Sequence, residues 1–211
     1  MRKAVFYFFL SLVLHTGLNA KNVNYEYQWT NNHPVLNDYI EKNREDVLRI
    51  SPYNNKRSKD YKEFIETIIK VVDVPKELIV LAAIESSYDP IAVSSAGATG
   101  MWQFMKPTAL DMGLKVNSTV DERKNWKKST VAAIKYLKWM SDKHFNGNYE
   151  LSILAYNAGI GNVKRAMRKH KTSNPWELIK YDTLTQESKD YLPKFITYMN
   201  YYYYLEEHGE L

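Results

Sequence analysis

The chain has 211 residues and no cysteine, and its 29 Lys plus Arg against 24 Asp plus Glu give a net charge of +5. A composition 45% hydrophobic and 25% charged is that of a globular chain and excludes disorder as the main state. The absence of thiols excludes a disulfide scaffold, thiolate metal sites, cysteine catalysis and lipid attachment through Cys. The basic excess suits either a polyanionic neighbour or an inert basic surface.

Met1-Arg2-Lys3 is a short cationic start, residues 4–14 (AVFYFFLSLVL) are almost wholly apolar, and a small residue stands at Ala20. Residues 1–20 therefore read as a secretory signal peptide, the apolar run being short for a membrane-spanning helix. An uncleaved N-terminal anchor is the alternative. Cleavage after Ala20 leaves 27 basic against 24 acidic residues, a net +3. An exported protein is expected, with no integral membrane segment once the leader is gone, and export speaks against a nucleic-acid partner.

Residues 21–57 are polar and interrupted by Pro34 and Pro52, and Asn55-Lys56-Arg57 has loop character. An irregular N-terminal extension with one helix over 36–49 is expected. Residues 58–207 read as one mainly α domain. Tyr61, Phe64, Ile65, Ile68, Ile69 and Val72 make one apolar stripe at helical spacing. Asp73 and Pro75 are placed to open the next helix, about 75–87, whose run LIVLAAI predicts burial on most sides. A helix near 107–112 follows, then one starting at Ser129, one over 149–158 that stops at Gly159, and one opening at Asn162. The last, over 187–207, tolerates Pro193 only if that residue lies in its first turn. The four tyrosines at 201–204 are expected to form a half-buried helix face. No segment alternates with period two.

Glu85 follows seven consecutive apolar residues, and Leu78, Leu81 and Ala82 precede it on the same face. A carboxyl group there loses hydration and faces a helix C-terminus, and both raise its pKa. A raised pKa keeps the proton near neutrality, as a general acid requires. The alternative is that the helix simply ends and Glu85 reaches solvent. Residues 94–105, SSAGATGMWQFM, add glycines for close approach, Ser94, Ser95 and Gln103 as neutral hydrogen bonders, and Met101, Trp102, Phe104 and Met105 as apolar surface. Such a groove suits sugar rings better than phosphates. No phosphate loop, HExxH or GxSxG is present, the five His show no ligand spacing, and no cofactor or metal is expected. The basic run Lys164, Arg165, Arg168, Lys169 and Lys171 reads most simply as a solvated helix face, with contact to an anionic polymer as the alternative.

Residues 85–105, ESSYDPIAVSSAGATGMWQFM, closely resemble the signature of the family 1 lytic transglycosylases: Glu85-Ser86, Asp89-Pro90, Ser94, Gly97-Ala98, and Gly100-Met101-Trp102-Gln103 with Met105. AYNAGIGNV at 155–163 resembles the family's Ala-Tyr-Asn-Ala-Gly block, and ESKDYLPKF at 187–195 its Glu-Thr-x-x-Tyr-Val element, with Ser188 for Thr and Leu192 for Val. Trp102, Asp121-x-Arg123 and the Tyr-Leu-Pro-Lys segment look most like the membrane-bound lytic transglycosylase D branch, here without its LysM repeats.

The resemblance implies a single lysozyme-like (goose-type/SLT) helical domain with a substrate groove, residues 58–207 forming the catalytic domain. It implies peptidoglycan glycan strands as substrate and a periplasmic location, and it names no protein partner. By the family pattern Glu85 is acid and then base in cutting the MurNAc-β-1,4-GlcNAc bond to 1,6-anhydro ends. Ser94, Gln103, Met105, Tyr156, Asn157 and Tyr191 match positions that line the groove or orient acid and sugar, with Tyr191 aimed at the Glu85 carboxyl. For Tyr156 and Asn157 a purely structural helix end is the alternative. The inventory of acids agrees. A two-carboxylate glycosidase needs a partner acid, yet Asp89 is turned away by Pro90, and nothing places Asp111, Asp121 or Glu122 in the groove. A muramidase that uses water, or a wall-binding protein without catalysis, are the alternatives.

Overall fold

A computed structural model describes residues 27–208, so the leader read from residues 1–20 lies outside them. The architecture is helical, with three isolated bridges and no sheet among the described residues. In chain order the helices are α1 (Pro34–Ser58), α2 (Lys62–Val72), a 3₁₀ turn (Lys76–Ile79) leading into α3 (Val80–Ser86), and α4 (Lys106–Asp111). After a second 3₁₀ turn (Glu122–Lys124) come α5 (Trp126–His144), α6 (Tyr149–Ala158), α7 (Ile160–His170), α8 (Pro175–Leu178) and α9 (Gln186–Glu207). No helix among the described residues is long and apolar enough to cross a membrane.

The long C-terminal helix α9 is the central post, packed by α1, α3 and α6, while α2 lies on α5 and α6 joins α5 to α7. Leu192, Phe195, Ile196 and Met199 are its inward face, all fully buried at helical spacing. Each such side chain contributes about 1.5–3 kcal/mol by leaving water. That sum outweighs the backbone bond lost at Pro193, which lies two turns inside α9 and not in its first turn as the sequence predicts. Of the four tyrosines, Tyr204 is buried and Tyr201, Tyr202 and Tyr203 are half-buried, as expected.

The N-terminal region departs most from expectation. The sequence predicts one helix over 36–49 in an irregular stretch, but α1 runs on through positions 52–57. Pro34 starts it with φ already helical, and the His33 ring nitrogen accepts the Val35 N–H (3.2 Å). Leu36 and Ile40 dock its first turns, and Ser58 is buried at its far end. Residues 27–33 are also packed. The Trp29 ring lies 5.0 Å from Phe195, Tyr27 meets Tyr149 edge-on at 5.4 Å, and His33 stacks on Trp176 at 4.8 Å. The buried Glu150 carboxylate joins them, accepting from Thr30 N (2.7 Å) and Trp176 Nε1 (3.1 Å).

Three helix starts also differ. Asp73 does not open the next helix; it closes α2 in the left-handed region (φ 59°), and the expected helix over 75–87 is a 3₁₀ turn followed by α3. α5 begins at Trp126, where Asn125 Oδ1 accepts the Lys128 N–H (3.1 Å), not at Ser129. α7 begins directly after Gly159, not at Asn162, and the short α8 was not expected at all. α6 ends at Ala158 before Gly159, as predicted.

Candidate active site

Glu85 occupies the last turn of α3, whose residues Val80 to Ala83 are all buried. The helix ends because Ser87 and Tyr88 take left-handed φ values of 53° and 59°. Their N–H groups donate back to Ala83 O (2.9 Å) and Ala82 O (3.1 Å), a Schellman-type closure made without glycine. Burial of the Tyr88 ring holds this conformation. Ser86 Oγ donates to Met101 O (2.8 Å), tying the helix end to the glycine loop that follows. Asp89 is turned away from the cleft, as Pro90 beside it predicts, and caps a turn by accepting the Ile91 N–H (3.0 Å); it also faces Arg57 at 3.6 Å.

The glycine loop is pinned from outside. Arg123, only 8% exposed, donates through Nη1 to Gly97 O (3.0 Å) and Phe104 O (3.1 Å). Its Nε and Nη2 hold Asp121 Oδ1 (2.9 Å) and Oδ2 (2.7 Å), and this guanidinium keeps the Asp121 carboxyl below its ordinary value. Gly100 has φ +84°, and a Cβ there would lie 1.9 Å from the Arg123 carbonyl oxygen. Asp121 is thus committed to the loop clamp.

These elements enclose a cleft of about 640 Å³. Glu85, Ser94, Gln103 and Met105 line it from α3 and the loop, Tyr156 and Asn157 from the end of α6, and Tyr191 from α9. The seven residues singled out in the sequence are therefore together. Asp89, Asp111, Asp121 and Glu122 are not in its lining. The apolar wall differs from expectation: Met101 and Trp102 are fully buried and Phe104 nearly so, leaving Met105, 45% exposed, to face the cleft. Trp102 is a core anchor, its Nε1 donating to Thr130 Oγ1 (2.9 Å).

Several lining residues escaped the sequence reading. Glu187 and Lys194 lie at i−4 and i+3 from Tyr191, so the helical period could have found them. Asp190 also lines the cleft, so Glu187 and Asp190 are two acids in its wall besides Glu85. Tyr39 and Asn43 come from α1, an i, i+4 pair that no motif marks.

The hydrogen bonds are directional. Tyr191 Oη donates to Glu85 Oε1. Tyr156 Oη donates to Trp102 O (2.7 Å), so its ring serves both packing and lining. Asn157 bridges α6 to α9, accepting from Ser188 Oγ (2.7 Å) and donating to Glu187 Oε1 (3.0 Å). Gln103 Nε2 donates to Gly100 O (2.8 Å), and Ser94 Oγ accepts the Ala98 N–H (3.0 Å).

Burial pushes the Glu85 carboxyl up to about 7, opposed by the Tyr191 hydrogen bond and the Lys194 charge and reinforced by Glu187. The residue keeps partial solvent access, as it must to meet a ligand, while the protein packed around its head group limits hydration. Burial, with Glu85 adding to it, pushes the Tyr156 and Tyr191 phenols up, so both stay protonated donors. Burial lowers Lys194, against the pull of Glu85 and Glu187. No group of three or more His, Asp or Glu among the described residues is arranged to hold a metal ion.

Comparison with known proteins identifies the family. Residues 64–179 match the family described as the transglycosylase SLT domain. The chain is 34% identical over 167 residues to the membrane-bound lytic murein transglycosylase D of Escherichia coli K12, covering 76% of this chain and 36% of that protein. It therefore spans about a third of that relative's length. Its fold is similar to the 70 kDa soluble lytic transglycosylase Slt70 of Escherichia coli (TM-score 0.58, 20% identity, 67% of this chain and 24% of that one). It is also similar to an inactive mutant of the lytic transglycosylase Slt of Pseudomonas aeruginosa (TM-score 0.55, 22% identity, 71% and 24%).

Proposed function

The chain belongs to the transglycosylase SLT domain family, and we propose that it cleaves the MurNAc-β-1,4-GlcNAc bond of peptidoglycan without water, leaving 1,6-anhydroMurNAc ends. The observation that carries this reading is Glu85: a carboxyl pushed up to about 7 and hydrogen-bonded by Tyr191, in a cleft whose lining is mostly neutral polar, aromatic and apolar, with Glu187, Asp190 and Lys194 as its other charged groups. Glu85 gives its proton to the glycosidic oxygen as the bond to muramic C1 breaks, and the GlcNAc 4-hydroxyl leaves. The resulting carboxylate takes the proton of the muramic C6 hydroxyl while that oxygen closes on C1, which restores the acid. Tyr191 donates to the carboxylate between the two steps. Ser94, Gln103, Asn157 and Tyr156 orient the sugars, with Met105 as apolar floor.

No resident cofactor enters this scheme. On this reading the protein acts outside the cytoplasm, in the periplasm, after export by the leader at 1–20. Glu187 and Asp190 also line the cleft, and they give substance to a second reading, hydrolysis of the same bond with two carboxylates. Mass spectrometry of digested peptidoglycan separates the two. Anhydro ends with wild type and no cleavage with Glu85→Gln are expected; reducing ends would establish hydrolysis. Full activity of Glu85→Gln would remove Glu85 from the mechanism.

A further inference from the structure

A smaller pocket of about 240 Å³ opens beside the cleft, between the first turns of α7 and α9. Asn157 and Glu187 line both cavities, so their hydrogen bond (3.0 Å) is a shared wall. The remaining polar lining is Asn162, Thr183, Thr185 and Ser188, all neutral, with one cation, Arg165. Arg165 is exposed, and its Nη2 donates to Asn162 Oδ1 (2.8 Å). No carboxylate among the described residues lies within ion-pair distance of it, and the one in the lining, Glu187, accepts from Asn157. A guanidinium has five donors, so most of this one is available. The first turn of α7 carries no acidic residue, and Arg168 and Lys169 add positive charge further along the helix.

The volume is below the ~300 Å³ at which sites for separate small molecules begin, so the pocket fits a side branch of a larger ligand. A planar guanidinium framed by neutral amides and hydroxyls recognises a carboxylate through paired N–H···O bonds. We infer that this pocket holds a carboxylate of the peptide that branches from the muramic lactyl group, with Arg165 as its anchor. The inference rests on the peptidoglycan reading above. A branch leaving a strand seated in the cleft has to pass over its edge, and this pocket lies just across the Asn157–Glu187 wall with a cation whose remaining donors face no carboxylate.

Steady-state cleavage by wild type and Arg165→Gln on three substrates tests it. These are peptide-bearing strands, strands whose peptide carboxylates have been converted to amides, and strands stripped of peptide. Arg165→Gln is expected to lower kcat/KM roughly tenfold on the first, through KM, the size expected for a hydrogen bond to a charged group. The other two substrates are expected to show no change, and Arg165→Lys to recover part of the loss. Equal loss on all three, or none on the first, would overturn the inference while leaving the cleavage reading intact. Failure of wild type to cut any of them would overturn that reading, and this inference with it.

Discussion

The Tyr191 hydroxyl, carried on α9, donates a hydrogen bond to Oε1 of Glu85 on α3, 106 residues earlier in the chain. A bond donated to a carboxylate favours the charged form, so it opposes the burial that drives the carboxyl upward. Tyr191→Phe removes only the hydroxyl from a side chain that is already packed. The acid then becomes weaker, and its conjugate base is less stabilised after the first proton transfer. The expected result is a fall in kcat of roughly tenfold or more with KM nearly unchanged. The alkaline limb of the rate profile should move upward. A loss confined to KM, read from steady-state kinetics across pH, would contradict this role.

The same raised pKa makes a statement about stability. Between the unfolded-chain value of 4.5 and about 7, folded Glu85 keeps a proton that the unfolded chain has released. Stability therefore falls as pH rises through that window and levels off above it. Allowing for partial solvent access, the loss is about 2–3 kcal/mol, comparable to one buried leucine. Glu85→Gln keeps the shape and the acceptor for Tyr191 but carries no charge. It should equal wild type near pH 4.5 and exceed it by about 2–3 kcal/mol at pH 8. Urea denaturation at the two values measures the difference; an unchanged gap would mean that the carboxyl is not desolvated.

The glycine loop yields a paired prediction. Gly97 and Gly100 have the same φ, +84°, but only at Gly100 does a Cβ meet backbone, 1.9 Å from the Arg123 carbonyl oxygen. Gly97→Ala bears only the left-handed backbone cost, about 1 kcal/mol. Gly100→Ala must also push away the segment whose guanidinium clamps the loop, at roughly 3 kcal/mol or more. Chemical denaturation of both variants should show that order. Equal costs would mean that the Arg123 segment yields freely.

What the sequence reveals here follows from what kind of physics places each residue. Glu85 stands out because a carboxylate ending an apolar run is locally anomalous, and the stop of α6 at Gly159 is local chemistry too. The sequence does not place Trp102, because an aromatic beside glycines looks the same whether it faces a groove or the core; only Thr130, far along the chain, decides it. Pro193 departs from its local expectation for the converse reason. The local penalty is real, but Leu192, Phe195 and Ile196 around it are fully buried and override it. Glu187 and Lys194 were legible through their spacing from Tyr191, whereas Tyr39 and Asn43 reach the cleft only through tertiary packing of α1 on α9.

That packing has a functional consequence which can be measured. Tyr39 and Asn43 bring α1 into the cleft wall, and Asn43 Nδ2 donates to Tyr39 O (2.9 Å), so the pair is presented from one face. Tyr39 makes no hydrogen bond to Glu85, whose direct partner is Tyr191. Under the proposed reaction, a wall residue away from the acid would meet substrate and transition state alike, and uniform binding appears in KM. Tyr39→Ala should raise KM for glycan strands roughly fivefold, about 1 kcal/mol of lost contact, with kcat held within about twofold. The pH at which the alkaline limb falls should stay where it is in wild type. A fall in kcat with a displaced limb would instead mean that α1 sets the protonation of Glu85, and a variant indistinguishable from wild type would place the glycan away from α1 altogether.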